Sequence, residues 1–453
     1  MKELLKSRII WIIIIFIAAS IFRLTNLDLI EFKLDEARDV YEMERFYQSP
    51  YFIQRGTIQS TGVYNPPLWY YILAIIALPS RDPQYLSFMM GLINCMAVAG
   101  FYLVARKFYG QFVGVSAGLL MAFSPWMIIF SRKIWAPDLI LPLVVPLFYF
   151  LHKIFLDKTY TAVGKMNYFW LTFLLSLLAQ LHASGIFLAV ASIIVITIII
   201  VIRKIKPNLK FALLGLAISL IPLLPYIAFQ LQNGCPDCQA FFSYQQGEAL
   251  GVVPTFDANA FLRPFQFING SGFQNALGEE GYGFFNFIFL LEFGLFILGV
   301  IFLYSPGRSQ SPPSRWWLLV ILIAVSMLMF MTKTPAHLYY FLIISPISIL
   351  IYALGIVHLG RLLHLEGVQA LPAGRQAHLP GVAVITIITA INIIFNFSFY
   401  KFLGEAGVVR GDYGPVYKIT KQQAEEALVQ FRERSDYELI RAEYWVQQFG
   451  HLE

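Results

Sequence analysis

Leu68-Trp69-Tyr70-Tyr71-Ile72-Leu73-Ala74-Ile75-Ile76-Ala77-Leu78 decides how the rest of the chain is read. The stretch follows Pro66-Pro67 and ends at Pro79. As a helix it reaches roughly 16 Å, about half of the ~30 Å of hydrocarbon in a bilayer. It is therefore expected to lie along the membrane surface. Counting it as non-spanning fixes the side on which every later loop emerges.

That a bilayer is the solvent follows from composition. Of 453 residues, 58% are hydrophobic and 13% charged, too apolar a surface to dissolve in water. Backbone groups in hydrocarbon must be satisfied within the segment, and the Leu-, Ile- and Phe-rich runs lack the alternation of barrel strands, so they can span only as helices. The expected fold class is all-α, a polytopic membrane protein of about eleven transmembrane helices. The net charge of +6 is strung along short loops and not gathered in a block, which fits membrane topology and excludes a nucleic-acid partner.

Working outward, Lys2, Lys6 and Arg8 precede the apolar run from Ile9 to Phe22. Ala18-Ala19-Ser20 resembles a signal-peptidase site, but the apolar run continues past it, so an uncleaved anchor with a cytoplasmic N-terminus is expected. Further spans are expected near 85–105, 111–130, 138–152, 168–182, 184–202, 210–229, 284–304, 316–332, 337–357 and 381–400. The cytoplasmic loops then hold Arg106-Lys107, Lys153, Lys158, Lys165, Arg203-Lys204-Ile205-Lys206, Lys210, Arg308, Arg315, Arg361 and Arg375. Only Glu3, Asp157 and Glu366 are acidic there; the opposite parity would put the Arg203 cluster outside, against the positive-inside rule.

The chain thus divides into a transmembrane domain, 1–400, and an extracytoplasmic tail, 401–453, with an amphipathic helix expected over Lys421 to Arg434. The outer face receives a first loop, 23–84, the hairpin Ser131 to Pro137, a long loop, 230–283, and a turn at Lys333. The long loop reads equally as a lid or a connector. Cys95 lies in an apolar run and is expected to pack. If their loop faces an oxidising compartment, Cys235-Pro236-Asp237-Cys238 favours a local disulfide over zinc, since no second Cys or His pair stands at ligand spacing, with a redox role as a third option.

Three outer segments carry chemistry. In the first loop, Asp35, Arg38, Asp39 and Glu42 share a face if Asp35 to Arg45 is helical. A solvated helix capped by Asp35 is the ordinary reading. Paired carboxylates just past a span, however, sit where desolvation prepares a general base or a metal ligand. In the hairpin, Arg132 and Lys133 read as snorkelling cations, whereas Asp138 at a helix start reads as either a dipole partner or a functional group. The turn Lys333-Thr334-Pro335-Ala336-His337-Leu338-Tyr339-Tyr340 offers Lys333 and His337 to an anionic head group. Cations beside carboxylates at a lipid boundary suit a lipid-phosphate substrate, because the leaving phosphate needs positive charge and an attacking hydroxyl needs a proton acceptor.

At these residues the chain resembles integral-membrane glycosyltransferases of the GT-C type, in the superfamily of protein O-mannosyltransferases and lipid A aminoarabinose transferases. The features that agree in order are Asp35-Glu36, Tyr64-Asn65-Pro66-Pro67-Leu68-Trp69-Tyr70-Tyr71 and Arg106-Lys107-Phe108-Tyr109-Gly110. Ser124-Pro125, Phe130-Ser131-Arg132 and Asp138 follow, and then Lys333, His337-Leu338-Tyr339-Tyr340 and Pro346. The resemblance is specific over about residues 20–200 and thinner beyond. It implies inverting transfer of a sugar from a polyprenyl-phosphate donor to a protein, lipid or glycan acceptor on the outer face. It also implies Asp35 as catalytic base beside Glu36, Arg132 and Asp138 shaping the donor site, Lys333 and His337 near the phosphate, and Tyr64, Asn65 and Tyr339 as substrate contacts. Some relatives carry a charged residue where Asn65 stands. Metal dependence varies in such families, so a divalent cofactor stays open, with Asp35 and Asp138 as candidate ligands. A transporter or lipid flippase is the alternative; it calls for charge at mid-membrane depth, for which Glu292 inside a span is the one candidate, His182 falling at an expected outer turn. A non-enzymatic scaffold explains the clustered carboxylates poorly.

Overall fold

Each long apolar run forms a helix, as the need to satisfy backbone groups inside hydrocarbon requires. The computed structural model describes residues 8–59, 62–156, 164–204, 207–245, 256–268, 270, 284–304, 316–363, 379–409 and 413–450. Several expected loop charges, among them Lys158, Lys206, Arg308, Arg315 and Arg375, lie outside the described residues, as do residues 246–255, 269 and 271–283 of the long loop.

The first helix, α1 (Arg8–Arg23), packs against α4 (Pro83–Tyr109) and α5 (Gln111–Phe123). Asp82 caps α4 by accepting from the Gln84 and Tyr85 amides, with Pro83 in the first turn where its missing N–H costs nothing. The expected span at 111–130 is broken at Ser124, which caps α6 (Pro125–Ile129). After α7 (Ile140–Leu156) come α8 (Lys165–Leu181) and α9 (Ala183–Arg203), whose cap is His182 accepting from the Ser184 amide. The run at 210–229 is likewise two pieces, α10 (Leu209–Ser219) and α11 (Leu224–Gln232), joined by a turn at Pro222. The disulfide Cys235–Cys238 precedes and enters α12 (Pro236–Gln245).

The later helices are α13 (Phe284–Tyr304), α14 (Trp317–Met331), α15 (Ser345–Leu362, entered through a 3-10 turn from Leu338) and α16 (Leu379–Ala406). Helix α15 is enclosed by α5, α13 and α16. At its crossing with α13 a Cβ on Gly355 would fall 1.9 Å from the Leu295 carbonyl, and one on Gly299 2.0 Å from that of Ile351. Only glycines let these backbones touch. Among the described residues six segments, Pro83–Tyr109, Ala136–Phe155, Ala183–Ile202, Leu209–Gln232, Leu338–Gly360 and Pro380–Ala406, are long and apolar enough to cross a bilayer. The chain is an all-α, multi-pass membrane protein.

A second core lies at the end of the bundle where the loops gather. It joins α2 (Leu34–Gln48), α3 (Leu68–Ile76) and the tail helices α17 (Tyr417–Ala427) and α18 (Tyr437–Gly450). Helix α3, nine residues long, spans roughly 14 Å, too short to cross. It buries Trp69, Tyr70 and Leu73 beneath α2 and α8. The tail helix expected to run to Arg434 stops at Ala427, because Leu428 turns inward to be buried; α18, which local sequence did not announce, then lies along α2.

Candidate active site

The backbone of Ile30–Phe32 is extended and leads into α2. At the helix start Lys33 is the N-cap, and Glu36 reaches back to accept its amide at 3.1 Å, one half of a capping box. Asp35 is therefore not the cap that a solvated helix would have used; it sits one residue inside the helix, partly exposed, while Glu36 is wholly buried.

Lys133 comes to meet Glu36 from the hairpin after α6. Its Nζ lies 2.8 Å from Glu31 Oε2 and 3.2 Å from Glu36 Oε1, and Lys33 closes on Glu31 Oε1 at 2.8 Å. The Lys133 amide donates to Asp138 Oδ2 at 2.8 Å, leaving Oδ1 of that buried carboxylate without a hydrogen-bond partner. Helix α4 braces the hairpin: Asn94 Nδ2 donates to the Asp138 carbonyl at 2.9 Å and Ser87 Oγ to the Arg132 carbonyl at 2.5 Å. Glu36, Asp138 and Lys133 thus share one buried site with Asp35 at its edge.

Burial with Glu31 and Asp35 alongside pushes the Glu36 carboxyl up to about 7, against the pull of Lys133 and Lys33. Burial alone would raise Glu31 too, but Lys133 and Lys33 outweigh it and hold Glu31 below the usual carboxylate range. Burial opposes the Lys133 charge, yet Glu31 and Glu36 keep its pKa above the ordinary value. The triad therefore holds a charged lysine, a charged Glu31 and a Glu36 that readily keeps its proton. Further along α2, burial pushes Asp39 well up; it accepts from Trp69 Nε1 at 2.7 Å and so ties α2 to α3.

The Tyr339 ring stands 4.5 Å from Trp135, 4.4 Å from Tyr340, 5.7 Å from His182 and 5.6 Å from His337. Lys133 Nζ lies 4.5 Å over Trp135, linking this aromatic group to the buried triad. Lys333 is left-handed, φ 57°, and its Nζ lies 5.2 Å over Phe256. The same turn is held by Asp257, which accepts the Ala336 amide at 2.8 Å, and by Arg263, whose Nε donates to the Ala336 carbonyl at 2.7 Å. Residues 256–268 of the long loop pack into the bundle: Phe267 and Ile268 are buried, and Asn392 Nδ2 donates to the Ile268 carbonyl at 2.6 Å.

Arg132 is buried, and its guanidinium donates to the Phe22 carbonyl and the Tyr400 hydroxyl, each at 2.6 Å, and to the Asn26 carbonyl at 2.5 Å. These bonds anchor the hairpin to α1 and α16. Tyr64 and Asn65 are engaged elsewhere. Asp237 in the disulfide turn accepts the Tyr64 amide at 3.0 Å, and Asn65 pairs with Gln59 at 2.6 Å and Thr57 at 3.2 Å. Sequence reasoning missed Glu31 and the structural part of Lys133; the available signal was Ser87 and Asn94, polar residues in an otherwise apolar helix. Glu292 is buried in α13, on a helix that faces α15. Among the described residues no three His, Cys, Asp or Glu side chains gather as a metal site, and the cations facing Glu31 and Glu36 are Lys33 and Lys133.

No family model matches the sequence, and no curated protein matches it. Solved structures do. ArnT from Cupriavidus metallidurans bound to undecaprenyl phosphate superposes with a TM-score of 0.55 at 13% identity, over 97% of this chain and 76% of that one. The apo state of the same protein gives 0.54 at 12%, over 96% and 75%. The Archaeoglobus fulgidus oligosaccharyltransferase in complex with Zn and sulfate gives 0.53 at 15%, over 96% of this chain and 57% of that one. At such identities the fold is what is shared.

Proposed function

Because the chain has the fold of the GT-C type membrane glycosyltransferases, we propose that it transfers a sugar from a polyprenyl-phosphate donor to an acceptor at the outer face of the membrane. The observation that carries this reading is Asp35, partly exposed in the first turn of α2, next to Glu36 of the buried Glu31–Lys133–Glu36 triad. The undecaprenyl phosphate in the ArnT structure supports a lipid-phosphate ligand here.

In this mechanism Asp35 accepts the proton of the acceptor hydroxyl as its oxygen attacks the anomeric carbon. The bond to the phosphate oxygen breaks, polyprenyl phosphate leaves with the electron pair, and a single displacement inverts the centre. Lys333 and His337 neutralise the departing phosphate. Glu36, through Lys133, and Asp138 fix the charge around Asp35, and Arg132 holds the hairpin that carries them. Tyr339 contacts substrate, and the Tyr64 side chain does so from a loop that Asn65 holds in shape through Gln59 and Thr57. Asp35 and Asp138 are the side chains that would hold a divalent ion, which would supply charge to the phosphate. The topology that goes with this reading has eleven spans, a cytoplasmic N-terminus and an extracytoplasmic tail after residue 400. The acceptor class is a protein, a lipid or a glycan.

Extraction of lipid from the purified protein, followed by mass spectrometry, tests the class. A polyprenyl-phosphate sugar among the co-purifying lipids is the expected result. Recovery of bulk phospholipid alone, with no binding of added undecaprenyl phosphate, would count against it.

A further inference from the structure

The residues that hold Lys133 in place are themselves held by the far end of the chain. The Tyr417 amide donates to the Ile30 carbonyl at 2.9 Å and the Phe32 amide to the Pro415 carbonyl at 3.1 Å, so that Glu31 and Val416 face each other in an antiparallel bridge. One residue earlier, the Leu29 carbonyl accepts the Tyr413 hydroxyl at 3.0 Å. The fully buried Phe32 ring stands 5.1 Å from Tyr417, 4.9 Å from Trp445 and 6.5 Å from Phe449. Trp445 is fixed in turn by donating from Nε1 to the Thr420 carbonyl at 3.1 Å.

Backbone pairing sets the register of Ile30–Phe32, and register decides which way Glu31 points, since a slip of one residue sends a side chain to the opposite face. A buried ion triad is tolerated only when its geometry is good, because desolvation otherwise exceeds the attraction. We infer that residues 413–450 act as a clamp that positions the carboxylate site: by pinning Ile30–Phe32 they hold Glu31 on Lys133, and through Lys133 they fix Glu36 and the adjacent Asp35. The catalytic consequence of this clamp rests on the proposed transferase reading, but its mechanical part does not. Trp445 and Phe32 are positioning residues.

Hydrogen exchange on the full-length protein in detergent tests the mechanical part, and titration with undecaprenyl phosphate tests the link to the site. Trp445→Ala is expected to speed amide exchange over 30–48 by about a hundred-fold or more, as loss of a large buried ring should, and to leave Leu338–Gly360 unchanged. The same variant should weaken undecaprenyl phosphate binding by about ten-fold, and Trp445→Phe should restore both. Glu31→Gln is expected to weaken binding by a similar factor while the amides of 417–450 stay protected. Should Trp445→Ala fail to insert, Tyr413→Phe removes only the hydroxyl bonded to Leu29 and carries the same exchange test on 29–33.

Exchange over 30–48 that stays slow while the tail itself exchanges freely would overturn the clamp. So would unchanged undecaprenyl phosphate affinity in both Trp445→Ala and Glu31→Gln. If the unmodified protein binds no undecaprenyl phosphate at all, the transferase reading fails, and the exchange result alone decides whether the tail positions the loop.

Discussion

Lys133 and Glu36 meet 3.2 Å apart with both side chains out of water, and Glu31 completes the contact on the other side of the ammonium at 2.8 Å. Two carboxylates and one cation in a closed site make each member dependent on the others.

Replacing Lys133 with Met keeps the bulk and removes the charge, leaving Glu36 buried without its ion-pair partner and Glu31 with Lys33 alone. Loss of roughly 3–5 kcal/mol is expected, the usual cost of breaking a buried pair from one side. Thermal denaturation in detergent would read it. Adding Glu36→Gln to Lys133→Met should recover part of the loss, and an additive or worse double variant would contradict the triad.

The triad also sets a pH dependence. Glu36 titrates near 4.5 in the unfolded chain and near about 7 in the folded one, so between those values the folded state holds the extra proton. Stability should therefore fall as pH rises from about 4.5 to about 7 and level off above. Asp39 and Glu44, also raised, act in the same direction, whereas Glu31, lowered, loses its contribution only in more acidic solution. Melting curves between pH 5 and 7.5 should be steeper for the unmodified protein than for Glu36→Gln. Parallel curves would remove Glu36 as the source.

Asp35→Asn keeps shape and partial exposure but cannot take a proton. Turnover should drop about 10²–10⁴-fold, the usual contribution of a general base, with insertion and melting temperature little changed. Full transfer activity in this variant would sink the mechanism.

Three cysteines occur, and Cys235 and Cys238 are bonded to each other. Denatured, unreduced protein should accept a single iodoacetamide, on Cys95, and three after reduction. Three before reduction would refute the disulfide and weaken the assignment of this loop to an oxidising compartment.

A reporter fused after Lys204 should read as cytoplasmic, the side on which the positive-inside rule keeps a run as basic as Arg203-Lys204-Ile205-Lys206. An external reading would invert the topology and move Asp35 to the wrong face for the proposed donor.

Much of the bundle is legible from sequence because a bilayer leaves an apolar run only one way to satisfy its backbone. The prolines at 66, 67 and 79 likewise mark α3 as a helix too short to cross. The disulfide was readable because its two ends are three residues apart. Lys133 was not: a snorkelling lysine and a lysine sealed inside an ion triad have the same local sequence, and only Glu31, a hundred residues earlier, distinguishes them. The docking of the tail on the first loop has no local signal at all, since the Tyr413–Leu29 bond joins residues 384 apart. The wedge at 263–268 forms 3-10 turns, whose short period leaves no recognisable stripe.

Arg132 bonds to Tyr400, 268 residues further on, and the bridge at Glu31 waits for Val416. Synthesis from the N-terminus therefore delivers Asp35, Glu36 and Lys133 to the membrane long before their last supports exist. The carboxylate cluster is the last part of this chain to be completed: a copy that stopped just before residue 413 would already hold every apolar helix and still lack the bridge to Glu31.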